Sequence, residues 1–385
     1  FDELFGSLKK EIKENNDFFD FDITSKYVEK INQRLIDNNI LDKQILFDLK
    51  KNNDEILLVI YQSPIDKFVV NQINIFGNTI TKDSVIRSKF DVEPGDYLHE
   101  SKLKKIDEQL SSLPYINLSK STYKLSEKGA DLLIDIEENK KTGNFMVAGT
   151  ISGDTGAGAS IGLNDKNIFG SGNALDFSIN LNSESALFKL IYSQFLINNP
   201  KLINTYKISN EENDYVGSYG YKVNKQEIGY SIKYQQSENL DISIGYSISK
   251  NKGHSAKYDD LIITDNIGTF YNSIFNLSLS HDNLNDIFFP TNGSSNNLSI
   301  TFSPENISDK SFYKISYNGS IYKNIRFSEN YFFINNRIGF AESLNSRLST
   351  INSYSLGGNN FKGFDYRGVG KKNPNNIYVG GNKFF

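Results

Sequence analysis

The sequence predicts an α+β arm followed by an all-β, membrane-spanning antiparallel barrel, and three observations carry that prediction. Apolar residues mix helical and strand spacing up to about residue 140, then change to a period of two and keep it. Many of the alternating runs approach the ~9–11 residues that a tilted strand needs to cross a bilayer. No apolar run is long enough for a transmembrane helix, which takes about 18 residues, so strands are left to do the spanning.

Val28, Ile31 and Leu35 share a helical face, and Ile56, Leu58 and Ile60 alternate before the break at Ser63-Pro64. A strand from Val69 to Phe76 stops at Gly77-Asn78, a short helix follows Ile80, and Glu93-Pro94-Gly95 turns the chain. A second helix carries Leu103, Ile106, Leu110 and Leu113 and ends at Pro114. Two strands, Ile116 to Lys124 and Ala130 to Glu137, close the unit. The order β-α-α-β-β gives a small sheet covered on one face, with strand edges left open to recruit other strands. The pattern alone fits a generic α+β domain equally well.

After Thr142, Leu175, Phe177, Ile179 and Leu181 alternate with Asp176, Ser178 and Asn180, and Ile242, Ile244, Tyr246 and Ile248 alternate with Ser243, Gly245, Ser247 and Ser249. Similar runs recur at Phe275-Leu279, Leu298-Phe302, Tyr313-Tyr317 and Phe332-Phe340, giving about eleven strands and the start of a twelfth near Ile377. The apolar members would face lipid and the small polar members a wet lumen. A soluble sandwich is the rival, but its strands are shorter, about 5–6 residues.

Composition narrows the function. A net charge of −4 offers no basic field for phosphate backbones, so nucleic acid is not an expected partner. The 28 Phe and 22 Tyr, against no Trp, suit strands, and the absence of Cys rules out disulfides and thiolate chemistry. His99, His254 and His281 form no metal motif and read as surface or strand residues. His281 and Asp282 are strand neighbours that point to opposite faces, so they cannot cooperate in a triad. Gly153 to Gly158 and Gly170-Ser171-Gly172 lie between strands, with no helix after them to make a phosphate loop, and read as hairpin turns. No catalysis, metal or cofactor is expected.

Three stretches together resemble the BamA family of POTRA-plus-barrel proteins. The β-α-α-β-β unit, with Gln72-Ile73-Asn74-Ile75-Phe76-Gly77-Asn78 ending its first strand, is similar to a POTRA domain. The junction Glu137 to Gly143, the turn Asn167-Ile168-Phe169-Gly170-Ser171-Gly172 and the hairpin Phe288 to Ser294 resemble the passage into the barrel and its aromatic-Pro-x-x-Gly turn. In that turn Pro290 presets φ and Asn292-Gly293 is expected to supply positive φ. Gly357-Gly358-Asn359-Asn360-Phe361-Lys362-Gly363-Phe364, running on to Arg367, resembles the Arg-Gly-Phe/Tyr motif of the long lumen loop. Lys362 stands where the family has Arg and lacks its bidentate fork, which Arg367 could supply instead.

The resemblance implies a partial POTRA domain at 1–64, a complete one at 65–140, and from 141 to 385 the N-terminal part of a barrel with its lumen loop at 343–376. Family barrels carry more strands, and Lys383 occupies a position where a C-terminal recognition signal wants an apolar residue, so Phe385 is read as a truncation point. The implied function is folding and insertion of outer-membrane proteins by strand addition, with POTRA domains in the periplasm. Unfolded outer-membrane clients, periplasmic assembly lipoproteins and outer-membrane lipid are the implied partners. The expected gate strand is Gly143 to Ser152, with Gly143, Phe145, Val147, Gly149 and Ile151 along it, and the expected POTRA edge carries Ile116, Leu118 and Tyr123. A two-partner secretion pore or an autotransporter-assembly relative shares the architecture and stays open as the alternative. A passive porin would leave the arm without a purpose.

Overall fold

The computed structural model describes residues 24–25, 28–32, 35, 43–52, 55–64, 68–152, 156–216, 220–237, 239–254, 264–286, 289–325, 330–358, 361–365 and 368–384. The chain divides into two compact units, Phe1–Asn78 with Lys89–Glu138, and Thr79–Ser88 with Asn139–Phe385.

In the first unit, helical residues at 28–32 set Val28 and Ile31, with Leu35, against Ile45 of the hairpin β1 (Lys43–Asn52) and β2 (Glu55–Pro64). The main sheet follows. Strand β3 (Phe68–Phe76) leads to α1 (Asp83–Arg87), which clusters with the second unit, then to β4 (Tyr97–Leu98), α2 (Glu100–Ser111), β5 (Ile116–Ser126) and β6 (Gly129–Glu138). The order across the sheet is β4-β3-β6-β5, with β3 and β6 parallel and β5 at an edge.

Helix α2 forms because Leu103, Ile106 and Leu110 recur on one face, and all three are buried, each worth about 1.5–3 kcal/mol. His99 starts it. The residue is buried and caps the helix, its Nδ1 accepting the Lys102 N–H at 3.3 Å, which corrects the surface-or-strand reading: the ring is hidden because the cap needs it there. Gly77 ends β3 at φ 86°, and a Cβ there would sit 1.9 Å from the Ile136 carbonyl oxygen, so the Phe76-Gly77-Asn78 turn admits only glycine.

The second unit is a single antiparallel sheet in chain order, from β7 (Gly143–Ser152) and β8 (Gly156–Asp165) to β17 (Tyr331–Ser343) and β18 (Lys383–Phe384). Eleven long strands and a two-residue twelfth match the expected count. The twelfth begins at Lys383 and not near Ile377, because Ile377 is drawn into a buried cluster with Tyr221 and Val223.

Strands β12 (Tyr221–Ser237) and β13 (Leu240–His254) show the wall in section. Ile228 faces Ile248, Tyr230 faces Tyr246 and Ile232 faces Ile244, and all six are exposed on the outer side. Between them Gly229 faces Ser247 and Ser231 faces Gly245 on the inner side. Period two thus sorts the residues into an apolar skin and a polar lining. No helix among the described residues is long and apolar enough to cross a membrane.

The Asn167 to Gly172 connection between β8 and β9 (Ala174–Asn182) is the expected hairpin turn, and it contains a 3-10 turn at Ile168–Gly170 with Phe169 at φ 54°. In the Pro290 to Ser294 turn only Gly293 has positive φ (107°), so Asn292 does not share that role. Gly156 and Gly158 lie inside β8, while 153–155 fall outside the described residues.

Candidate functional site

Strand β7 is the terminal strand of the barrel sheet and pairs along its length with β8 alone. Phe145, Val147 and Ile151 project from the outer face opposite Leu163, Ile161 and Ala157. They are among the most exposed apolar side chains of the described residues, Ile151 reaching 93%. Gly143 and Gly149 interrupt the row. A Cβ on Gly149 would meet nothing within 4 Å, so its lack of a side chain answers to no local contact. On the inner face Met146 lies over Gly162 and Thr150 over Gly158, which makes the β7–β8 hairpin thin and poorly packed there.

The connection 344–382 between β17 and β18 folds over the inner face. Thr350 bonds the buried Tyr221 hydroxyl, Ser349 bonds Asn266, and Ile351 packs on the Tyr221, Val223 and Ile377 cluster. Further on the loop doubles into a small hairpin, in which the Val369 N–H donates to Leu356 O at 3.1 Å and the Gly358 N–H to Phe364 O at 2.9 Å. At its tip Phe361 and Phe364 stack with centroids 5.1 Å apart, beside the exposed Lys362 and Gly363. Gly357 and Gly358 adopt φ 126° and 63° at its base. None of the ion pairs found among the described residues involves Lys362. Asn359, Asn360 and Arg367 lie outside the described residues.

The third element is β5, the free edge of the first unit's sheet. Ile116 is buried and faces the helix layer, whereas Leu118 and Tyr123 are exposed, the Tyr123 ring lying 5.2 Å from that of Phe68 and tilted 35° to it. The edge is held from behind by Asp107 of α2, which accepts from the Ser119 and Ser121 hydroxyls at 3.1 and 2.7 Å. The Ser119 N–H donates to Ser111 Oγ at 3.2 Å, away from β6. Strand alternation then turns the N–H groups of Ser121, Tyr123 and Leu125 toward the open edge as well.

Polar chemistry on the inner wall is concentrated around a cavity of about 480 Å³. Its charged members are Glu227 on β12, paired with Lys225 at 2.6 Å and with Lys207 of β11 (Leu202–Tyr215) at 2.8 Å, and Lys314 of β16 (Phe312–Asn324). Serine, threonine and asparagine make up most of the remaining lining. Among the described residues no group of three or more His, Cys, Asp or Glu could hold a metal ion.

A wall that is apolar outside and polar inside, with a long loop laid over its inner face, is that of an outer-membrane β-barrel. With the β-α-α-β-β arm ahead of it, it defines the class that joins periplasmic POTRA domains to such a barrel. The family models agree: the Omp85 superfamily domain matches residues 167–385, and the POTRA model, described as a surface antigen variable number repeat, matches 68–139. The chain belongs to the Omp85 superfamily, and is an outer-membrane protein with its POTRA domain in the periplasm.

One curated relative is the outer membrane protein assembly factor BamA of Neorickettsia risticii, 24% identical over 237 residues, which cover 59% of this chain and 31% of the relative. The chain thus spans about a third of that relative's length. Among solved structures, BamA from Haemophilus ducreyi lacking POTRA domains 1-3 superposes with a TM-score of 0.74 at 19% identity, over 95% of this chain and 75% of that one. CdiB from Acinetobacter baumannii gives 0.52 at 14% identity, over 96% and 70%, and CdiB from Escherichia coli 0.53 at 12%, over 91% and 67%. These likenesses show the fold.

The expected residues thus fall on three separate elements: a sheet end at β7, a loop on the inner wall, and the β5 edge. Sequence reading missed Ser349 and Thr350, whose bonds to Asn266 and Tyr221 hold the loop on the inner face, because these contacts join residues far apart along the chain.

Proposed function

We propose that the chain works in outer-membrane protein assembly, passing client strands from the β5 edge to a lateral seam at β7. The observation that carries this reading is the local weakness of β7, which two glycines interrupt and whose inner face packs thinly on Gly158 and Gly162 of β8. Each unpaired backbone group in hydrocarbon costs several kcal/mol, so a client strand that completes a weak seam is strongly favoured without any external energy source. At β5 the same main-chain pairing would hold a client loosely before transfer.

In this reading 1–64 is the back part of a preceding POTRA domain, 65–140 a complete one, and 141–385 the N-terminal part of the barrel. Periplasmic lipoproteins are the accessory partners. The loop motif Gly357 to Arg367 keeps the lumen side of the seam in order, with Lys362 supplying positive charge at the tip. The assembly factor named among the relatives supports this reading.

The test is reconstitution of the complete natural protein, with its accessory lipoproteins, in proteoliposomes and addition of an unfolded barrel client. Client folding should speed up over empty liposomes, and Lys362→Ala should slow it while Lys362→Arg preserves it. Client folding no faster than in empty liposomes, together with export of one dedicated substrate, would replace the reading with a secretion pore.

A further inference from the structure

Gly339 sits buried on the inner face of β17, and Tyr354 of the loop lies directly on it. A Cβ at Gly339 would stand 2.4 Å from Tyr354 Cζ and 2.7 Å from both Cε1 and the hydroxyl oxygen. The ring therefore occupies space that any other residue at 339 would fill. Its hydroxyl donates to the Ile315 carbonyl at 2.9 Å and meets Ser316 Oγ at 2.7 Å, while the Lys314 Nζ stands 4.3 Å from the ring centroid. The opposite neighbour is Phe384 of β18, stacked at 5.7 Å with the rings 17° apart. Along the backbone, Tyr354 and Gly381 exchange two hydrogen bonds of 2.8 Å. A single side chain thus touches β16, β17 and β18, whereas the Phe361-Lys362-Gly363-Phe364 tip is exposed.

We propose that Tyr354 is the positioning residue of the loop: seated on Gly339, it holds 344–382 against the inner face and, through Phe384 and Gly381, holds β18 in place beside β17. Removal of the loop and loss of β18 from the sheet are then one event, because the same ring supports both. The proposal rests on these contacts and not on the assembly reading, and its readout is independent of client folding.

The experiment is limited trypsin digestion of the complete natural protein in outer-membrane vesicles, following cleavage at Arg347, Lys371 and Lys372, which flank the joint. Tyr354→Ala should raise the rate of loop cleavage at least about tenfold, since cutting then reports local opening. Tyr354→Phe keeps the ring but not its hydroxyl and should fall between. Gly339→Val should match Tyr354→Ala, and the double variant should be no faster than the faster single one, because both remove the same joint. Heat-modifiable mobility is read alongside: Tyr354→Ala should lower the temperature at which the folded barrel band is lost, because β18 loosens together with the loop, and an unchanged transition would overturn the link to β18. Wild-type cleavage in Tyr354→Ala, which lies off the strands and does not depend on Gly339→Val folding, overturns the proposal. Effects of the two substitutions that multiply in the double variant would also overturn it.

Discussion

Asn167 donates through its side-chain amide to Thr81 Oγ1 at 2.8 Å, a bond between residues 86 apart in sequence and both buried. Its other side-chain atom, Oδ1, accepts the Gly172 N–H at 2.6 Å, closing the β8–β9 turn, and the Lys82 N–H donates to Gly170 O at 2.9 Å beside it. One amide thus ties the turn to Thr79–Ser88. Replacing Asn167 by Ala strands the Gly172 donor and should cost about 1–3 kcal/mol in the stability of this region. Hydrogen exchange at Gly172 and Lys82 should quicken in the variant, and protection equal to wild type would show that the bond contributes nothing.

A second prediction concerns pH. The imidazole of His99 is held below its ordinary value of 6.5 by burial, with Lys102 adding to the effect. Its Nδ1 must stay unprotonated to accept the Lys102 N–H, and Ser101 Oγ sits 2.6 Å from the same atom. The unfolded chain therefore takes up the proton before the folded one does, so the His99 contribution is intact above pH 6.5 and declines as the pH falls through the window below it. His99→Asn keeps a capping acceptor and removes the titration. Thermal melts of the POTRA-containing protein from pH 7.5 to 5 should show a smaller loss in the variant than in wild type; parallel curves would refute the assignment.

The edge of β5 offers a third test, built on the direction of its N–H groups. Tyr123→Pro removes an outward donor and leaves the ladder to β6, whereas Thr122→Pro removes a ladder bond. Crosslinking to an unfolded client should fall in Tyr123→Pro and persist in Tyr123→Ala, with Thr122→Pro destabilising the domain itself. Loss of crosslinking in Tyr123→Ala alone would mean that the side chain, and not the main chain, makes the contact.

The fourth prediction addresses β7. Open space around Gly149 lets Val enter without a clash, and β-branched residues order a strand by up to about 1 kcal/mol. Gly149→Val should raise the melting temperature of the barrel and slow client folding together. A stiffer barrel with undiminished client folding would separate the seam from the activity.

Legibility tracked the range of the physics. The Ile244, Tyr246, Ile248 row could be read because strand alternation is a period in sequence, and Leu103, Ile106 and Leu110 because a helical face is one too. His99 was misread because a histidine cap gives a weaker local signal than Ser or Asp. The seat of the loop was not legible at all. Tyr354 and Gly339 are ordinary residues in ordinary strand and loop sequence, and only the folded sheet sets one on the other. Lys362 was found by resemblance alone, because a lone cation in a Gly/Asn-rich loop carries no periodic signal.

The sorted wall of β12 and β13 has a consequence for how its pairing is chosen. Slipping β13 by one residue would turn Ser243, Gly245, Ser247 and Ser249 to the oily side and Ile244, Tyr246 and Ile248 to the wet one. In water both arrangements leave apolar surface uncovered, so the tight β12–β13 turn is left to choose between them. A bilayer adds a second penalty, the cost of turning Ser243, Ser247 and Ser249 into hydrocarbon, which makes the lipid a participant in choosing the pairing.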